Sequence, residues 1–507
     1  MATFENEKFT MKKLVLMALI LSFTAIASAQ NIYISDIYIT GNKITQDRII
    51  LRELPFKKGM TLTVRELDNE ITQAKQNLLN ASLFNYVTIT YEPAGSSLIT
   101  YRDSTSVQQD TCAVTNPNYP SATSAQAAPD IPNGTTAYTI MISVEERWYL
   151  WPLFDVKLED RNLSSWVKKM DTKRITYDFG AKFDNVFGLG HKFEVHGSAG
   201  YEQGITAYYS NIALNSARTS YLNLSGYALF NKNVDYKTES DKQQRLKSNN
   251  LLKKNLGLKV TYIYRPEIRT RHYLSLEYSF SHIKDSILIV NPQYWGVNSN
   301  YSRKFVLSYS YSLDQRNYTY YPTTGYYIGA SASVAESNNF DFVYWNASAD
   351  LQYYKQLGER WFWGSTLKLS TSLKSNASYL YDQAIGYDNV SLTGYDLYVI
   401  DGQHYFTHNN TIRYCILPKK IVHLHILKKW NKINKPHFTI YGNVKFDTGY
   451  VWQDHHRETN SLSNSFLFGT GVGVDIITYY DIIFNFGYAI NKKGTGGFTF
   501  GFRAPIY

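Results

Sequence analysis

Histidines, carboxylates and cysteines are the side chains that could do metal or covalent chemistry in this chain, and their spacing argues against it. His423 and His425 alternate within a basic stretch, 418–435, that also carries Lys419, Lys420, Lys428, Lys429, Lys432 and Lys435. No Cys or carboxylate stands beside the two histidines to complete a metal site. His455 and His456 have Asp454 and Glu458 nearby and read as a surface-loop feature. Cys112 falls in a low-complexity segment and Cys415 in a predicted strand, a pairing that predicts no disulfide. The sequence holds no G-x-S-x-G elbow, no phosphate-binding G-x-x-x-x-G-K-[ST] loop, no H-E-x-x-H and no C-x-x-C. Catalytic residues, a metal and a cofactor are therefore not expected.

The elements around these residues point to a different kind of work. Of 507 residues only 19% are charged, while 16% are aromatic, including 44 Tyr. Membrane β-barrels favour this balance, since Tyr and Trp form interfacial girdles and every second strand residue faces a wet lumen. A mean hydropathy of −0.33 is compatible with it. The net charge of +10 is spread over loops and turns, which suits anionic lipid head groups and lipopolysaccharide better than nucleic acid.

Residues 1–29 read as a secretory signal, with the start at Met11, an apolar run from Leu14 to Leu21 and cleavage after Ala29. No later run of about 18 apolar residues offers a spanning helix. Residues 30–147 then read as a small α+β module of order β-α-α-β-β. Ile32, Ile34, Ile37 and Ile39 alternate in a strand that the Gly41-Asn42 turn ends. Thr45 is a candidate cap for a helix bearing Ile49, Ile50 and Leu54, with Pro55 as its stop, and a second helix starts near Thr63. Residues 94–134, rich in Ser, Thr, Ala, Asn and Pro, read as a disordered insertion before the last strand.

From 148 to 507 about sixteen segments of roughly ten residues alternate in period two, as in Leu307–Leu313 and Ile328–Val334. Unpaired edges are costly in lipid, so the segments are expected to close into a transmembrane antiparallel β-barrel. Long connections near 231–252, 284–302, 373–405 and 453–463 alternate with short ones near 215–218, 266–271, 355–360 and 479–480, the asymmetry of outer-membrane barrels. The basic connection 418–435 falls on the short side and breaks that rule.

The module resembles the POTRA domain of the BamA/TamA superfamily in its I-x-G-N opening at Gly41 and Asn42, its L-F-x-x-V-x-I run from Leu83 to Ile89 and its closing V-x-E strand. The barrel resembles the same superfamily. Glu146–Pro152 with Asp160-Arg161-Asn162 is similar to the entry strand of a Bacteroidetes-like branch. Asp314-x-Arg316 followed by Pro322-Thr323-Thr324-Gly325 resembles the family's periplasmic D-x-R…P-x-x-G turn. Leu392-Thr393-Gly394-Tyr395 resembles the V-R-G-F/Y tip of the sixth extracellular loop, which in the family folds into the lumen. Here Thr393 replaces the Arg. The next strand, Asn409–Arg413, lacks the family's Glu and keeps Arg413, and the D-x-G-x-V-W element survives at Asp447, Gly449, Val451 and Trp452. Losing both members of a buried ion pair can be close to neutral, so the loop is expected to dock through neutral hydrogen bonds. Asp447 alternatively reads as a solvated lumen carboxylate.

The resemblance implies an outer-membrane factor, with its POTRA module in the periplasm, that accepts unfolded outer-membrane or secreted polypeptides and inserts or exports them through the barrel. Accessory lipoproteins are further implied partners. The alternative is a passive pore or surface-antigen barrel without insertase activity. Neither reading is enzymatic.

Overall fold

The computed structural model describes residues 31–94, 132, 135–158, 175–339, 343–373, 378–387, 390–422, 436–454 and 459–503. The expected signal, nearly all of the 94–134 insertion, Cys112, Asp160–Asn162, His423, His425, His455, His456 and Glu458 lie outside these residues. By its internal contacts the chain divides into two units that do not follow its linear order. One takes residues up to 41, 54–75 and 87–144; the other takes 42–53, 76–86 and 145–507.

The small α+β fold is built from β1 (Asn31–Thr40), α1 (Asp47–Arg52), β2 (Thr61–Thr63), α2 (Val64–Asn80), β3 (Phe84–Pro93) and β4 (Thr135–Glu146). Its sheet runs β2-β1-β4-β3, with β1 and β4 parallel. The expected order gains one short strand, β2, antiparallel to the start of β1. Alternation buries Ile32 and Ile34 from β1 and Ile140 and Ile142 from β4. Thr63 and Glu66 form a capping box at α2: the Glu66 carboxylate accepts from Thr63 N–H at 2.8 Å, and Glu66 N–H donates back to the Thr63 hydroxyl.

Thr45 does not cap α1. Gln46 holds the N-cap position without a side-chain hydrogen bond, and the helix ends at Arg52 rather than reaching Leu54. The Thr45 hydroxyl is taken by the buried Glu146 carboxylate at 2.7 Å, which also accepts the N–H groups of Ile44 and Thr45. A charged acceptor with three donors outcompetes a local cap.

The large unit is a sixteen-stranded antiparallel β-barrel. Its strands are β5 (Leu150–Leu158), β6 (Ile175–Val186), β7 (His191–Gly200), β8 (Glu202–Ala213), β9 (Ser220–Asn231), β12 (Lys253–Tyr264), β13 (Thr270–Ile283), β14 (Tyr301–Asp314), β15 (Gly325–Ser337), β16 (Tyr344–Gln356), β17 (Trp361–Leu373), β20 (His404–Ile421), β21 (His437–Trp452), β22 (Leu467–Ile477), β23 (Ile483–Asn491) and β24 (Gly496–Arg503). Each pairs with its neighbour in order, so period-two alternation sorts the side chains to two faces. Outward rows cross three strands, Val260–Leu276–Leu307 and Tyr262–Leu274–Tyr309, and are exposed and apolar. The inward row beside them is Thr261–Ser275–Ser308, where Thr261 and Ser275 hydroxyls lie 2.9 Å apart.

The long connections carry structure of their own. Residues 232–252 form a hairpin, β10 (Asn233–Glu239) with β11 (Lys242–Lys247), and α3 (Asp285–Val290) follows β13. The β17–β20 connection holds a pair of very short strands, β18 (Gln383–Ile385) and β19 (Ile400–Asp401). β20 itself runs on to Ile421, so the basic connection starts later than 418.

Candidate functional site

Register explains how the wall of the barrel receives the β17–β20 loop. Asn409 on β20 pairs with Asp447 on β21, Asp447 with Gly469 on β22, and Gly469 with Asn491 on β23. Paired residues share a face, so these four stand in one row across four strands. The Leu392–Tyr395 tip lies along that row. Thr393 N–H donates to Asp447 Oδ2 at 2.9 Å, and the Asn409 amide donates to the same oxygen at 2.7 Å. The Asn491 amide donates to the Gly394 carbonyl at 2.7 Å, and the Tyr395 hydroxyl to the Phe468 carbonyl at 3.1 Å.

Two glycines make this approach possible. Gly394 has φ +84°, and a Cβ there would sit 2.8 Å from the Ile490 carbonyl carbon. At Gly469 a Cβ would collide with the Thr393 carbonyl oxygen, so the bare backbone is the seat of the loop. Gly449 is similarly close to the Leu392 side chain. Leu392, Tyr395, Ala384, Ile385 and Ile400 join Val451, Leu462 and Leu467 in one buried apolar cluster. Asp447 is only 3% exposed, which makes it a buried acceptor rather than a solvated lumen carboxylate.

Arg413 faces the lumen on β20, two alternations from Asn409, but does not reach the loop tip. Its guanidinium donates to the Pro322 carbonyl at 2.7 Å and lies 4.4 Å from the Tyr321 ring centre. It therefore joins the β14–β15 turn. There Arg316 makes a two-pronged pair with Asp314, at 2.6 and 2.8 Å, and donates to Gln352 at 3.0 Å. Gly325 has φ +96°, and a Cβ would strike the Gln315 carbonyl. The turn carries Tyr321, whose hydroxyl donates to Asp475 at 2.7 Å, and the Asn485 amide donates to the other oxygen of that carboxylate. Between turn and loop tip lies a cavity of about 360 Å³, lined by Arg413, Lys445, Asp475, Asn409 and Asn485.

Elsewhere, Gly41 has φ +88°, with the Val144 carbonyl where a Cβ would be, and the Asn42 amide donates to the Thr45 carbonyl and to Asp47. These residues set a backbone turn and are not brought to the loop site.

Sequence reasoning missed Gly469 and Asn491 in the docking row, and it missed a second junction at the long-loop end. The β10–β11 hairpin presents Asp241 at its tip, 2% exposed. Its carboxylate accepts from Leu462 N–H, the Ser461 hydroxyl and Lys493 Nζ at 2.9–3.0 Å, and its backbone binds Asn460 and Val399. Ser240 and Asp241 have φ of 54° and 57°, the tight-turn conformation that Ser-Asp at 240–241 hints at in the sequence. One hairpin tip thus ties down three other loops.

A sixteen-stranded antiparallel barrel with apolar outside rows, polar inside rows and a loop folded into its lumen defines the class as an outer-membrane β-barrel. Two family models match the sequence: the Omp85 superfamily domain over residues 185–412 and the POTRA model, described as a surface antigen variable number repeat, over 32–108. The two matches support an Omp85-family outer-membrane protein, a family that acts in outer-membrane protein assembly or secretion.

Similar solved structures include BamA from Haemophilus ducreyi lacking POTRA domains 1–3, at 15% identity and a TM-score of 0.47, covering 93% of this chain and 84% of that one. CdiB from Escherichia coli is similar at 11% identity and 0.49, covering 94% and 76%. CdiB from Acinetobacter baumannii is similar at 13% and 0.46, covering 93% and 73%. A comparison with curated proteins finds no match.

Proposed function

We propose that this protein takes unfolded polypeptides from the periplasm and helps insert them into, or export them through, the outer membrane. The observation that carries the reading is the loop tip held by Asp447 along a four-strand row, which fixes an inward element in the half of the barrel that ends at β24. The barrel's short turns face the periplasm and its long loops face outward. In the POTRA sheet β3 is an outer strand, so its backbone is a template for an extended client by strand addition. The last strand begins with Gly496 and Gly497 and carries Gly501, which removes cross-strand side-chain contacts where a lateral opening needs a weak seam. No enzymatic step is required, since strand addition and local thinning of the bilayer do the work.

Thr393 in place of the family's Arg favours a second reading, a passive barrel that keeps the loop only as scaffold. The two separate on depletion of the protein in its host, with folded, heat-modifiable barrels and surface proteins counted in the outer-membrane fraction. Loss of many barrels supports general assembly, and loss of one species supports a dedicated exporter or insertase. Unchanged proteins with altered small-solute permeability would replace the proposal with the passive pore.

A further inference from the structure

The large unit contains a cavity of about 410 Å³ at the short-turn end of the barrel, and its lining is strongly one-signed. Among the described residues Arg52, Lys192, Arg218, Arg265, Arg269 and Arg271 line it with two acids, Glu53 and Asp314, and of these cations Lys192 lies 3.8 Å from the Asp184 carboxylate. Both acids are already engaged: Glu53 binds Arg265 through two bonds of 2.6 and 2.7 Å, and Asp314 binds Arg316. The other guanidiniums spend donors on backbone carbonyls, Arg52 on those of residues 218 and 265, Arg218 on that of 189 and Arg269 on that of 316. Those acceptors are neutral, so Glu53 and Asp314 offset only part of the arginines' charge. Arg269 Nε is buried with no hydrogen-bond partner among the described residues. Burial and neighbouring Arg265 hold Arg52 below its ordinary pKa, burial and Arg48 do so for Arg218, and burial does so for Arg269.

Guanidinium forks crowded around a cavity of ligand size match carboxylate geometry. The cavity does not end there. Tyr273, Ser312 and Tyr327 line it and also line a second cavity of about 500 Å³, whose walls from β9 and β12 to β16 are mainly Ser, Thr, Tyr and Asn, with Lys259 and Asp350 as its two charged residues. An occupant can therefore place its anionic groups among the arginines and continue along a polar wall, which a single small ion cannot do.

We propose that this arginine-lined cavity is a docking site for an acidic segment of an extended polypeptide, the first station of a client entering the barrel. The inference rests on the polypeptide-handling function proposed above and adds a chemical preference to it. Arg271, exposed and on the edge of the cavity, selects for carboxylates, and Arg269 receives one through its unpartnered Nε.

The test uses the full chain in detergent or nanodiscs and the fluorescence anisotropy of two labelled peptides, one alternating Glu and Ser and one with Gln for every Glu. The Glu peptide is expected to bind at least about tenfold tighter than the Gln peptide, with high salt abolishing the difference. Arg271→Gln is expected to weaken the Glu peptide about tenfold and Arg271→Lys to restore most of it; heat-modifiable mobility verifies that each variant folds. Equal binding of the two peptides, or no effect of Arg271→Gln, overturns the proposal. Binding of inorganic phosphate that depends on Arg271, without binding of the Glu peptide, also overturns it and points to a phosphate ligand. The depletion experiment is separate: unchanged surface proteins with intact Glu-peptide selectivity defeat the polypeptide-handling function alone.

Discussion

Replacing Asp447 with Ala is expected to release the Leu392–Tyr395 tip without unfolding the barrel. The carboxylate is buried and one oxygen takes two donors, Thr393 N–H at 2.9 Å and the Asn409 amide at 2.7 Å. Of the two, only the Thr393 bond joins loop to wall, since Asn409 and Asp447 are neighbours on the wall in either state. A hydrogen bond to a charged group contributes about 1.5–3 kcal/mol, so the change removes about that much from the docked state. At about 1.4 kcal/mol per factor of ten, the undocked population rises by about one to two orders of magnitude. Hydrogen–deuterium exchange at the Thr393 amide reads this directly, and chymotrypsin cleavage near Tyr395 and Tyr398 reads it independently. Asp447→Asn is expected to fall between the two, because it keeps an acceptor but not the charge. Gly469→Ala reaches the same undocked state by a different route, since its Cβ takes the space of the Thr393 carbonyl. Thr393 protection within about threefold of wild type in Asp447→Ala would refute the assignment of this carboxylate as the loop's anchor.

Three further outcomes follow from the geometry. Asp241→Ala strips the acceptor from Ser461, Leu462 N–H and Lys493, so single-channel recordings in planar bilayers are expected to show larger, noisier currents; identical conductance would mean that the hairpin tip does not hold the loops closed. Glu146→Gln replaces a charged acceptor for three donors and is expected to cost about 1.5–3 kcal/mol in urea-induced unfolding of the barrel unit, with Thr45→Val giving a smaller loss; equal midpoints for wild type and Glu146→Gln would contradict the argument. Burial pushes the Glu53 carboxyl up, but Arg265 outweighs it and leaves the group below its ordinary value of 4.5. A depressed carboxyl adds stability that is full above 4.5 and is lost as pH falls through the folded value, so Glu53→Gln is expected to flatten the loss of stability in that acid range, and an unaltered pH profile would remove Glu53 from the account.

The amino-acid order by itself determined the barrel and its strand count, because period-two alternation is local. It also pointed to left-handed backbone at Gly41, Gly325 and Gly394, where a Cβ would be strained, but not at Ser240 and Asp241, which adopt it without being glycine. The small fold was legible for the same reason, apart from the three-residue β2, too short to carry a period, and the Thr45 cap, lost to a carboxylate 101 positions away. Only the tertiary structure decided which residues meet. Asn409, Asp447, Gly469 and Asn491 are separated by 38, 22 and 22 positions in the chain, and it is register across four strands that lines them up beneath Thr393 and Gly394. Arg413, placed by sequence beside Asp447, belongs instead to Tyr321 and Pro322, because two alternations along β20 carry it away from the loop tip. Spacing along a strand says which face a side chain occupies, whereas its partner is set by strands folded far from it in sequence.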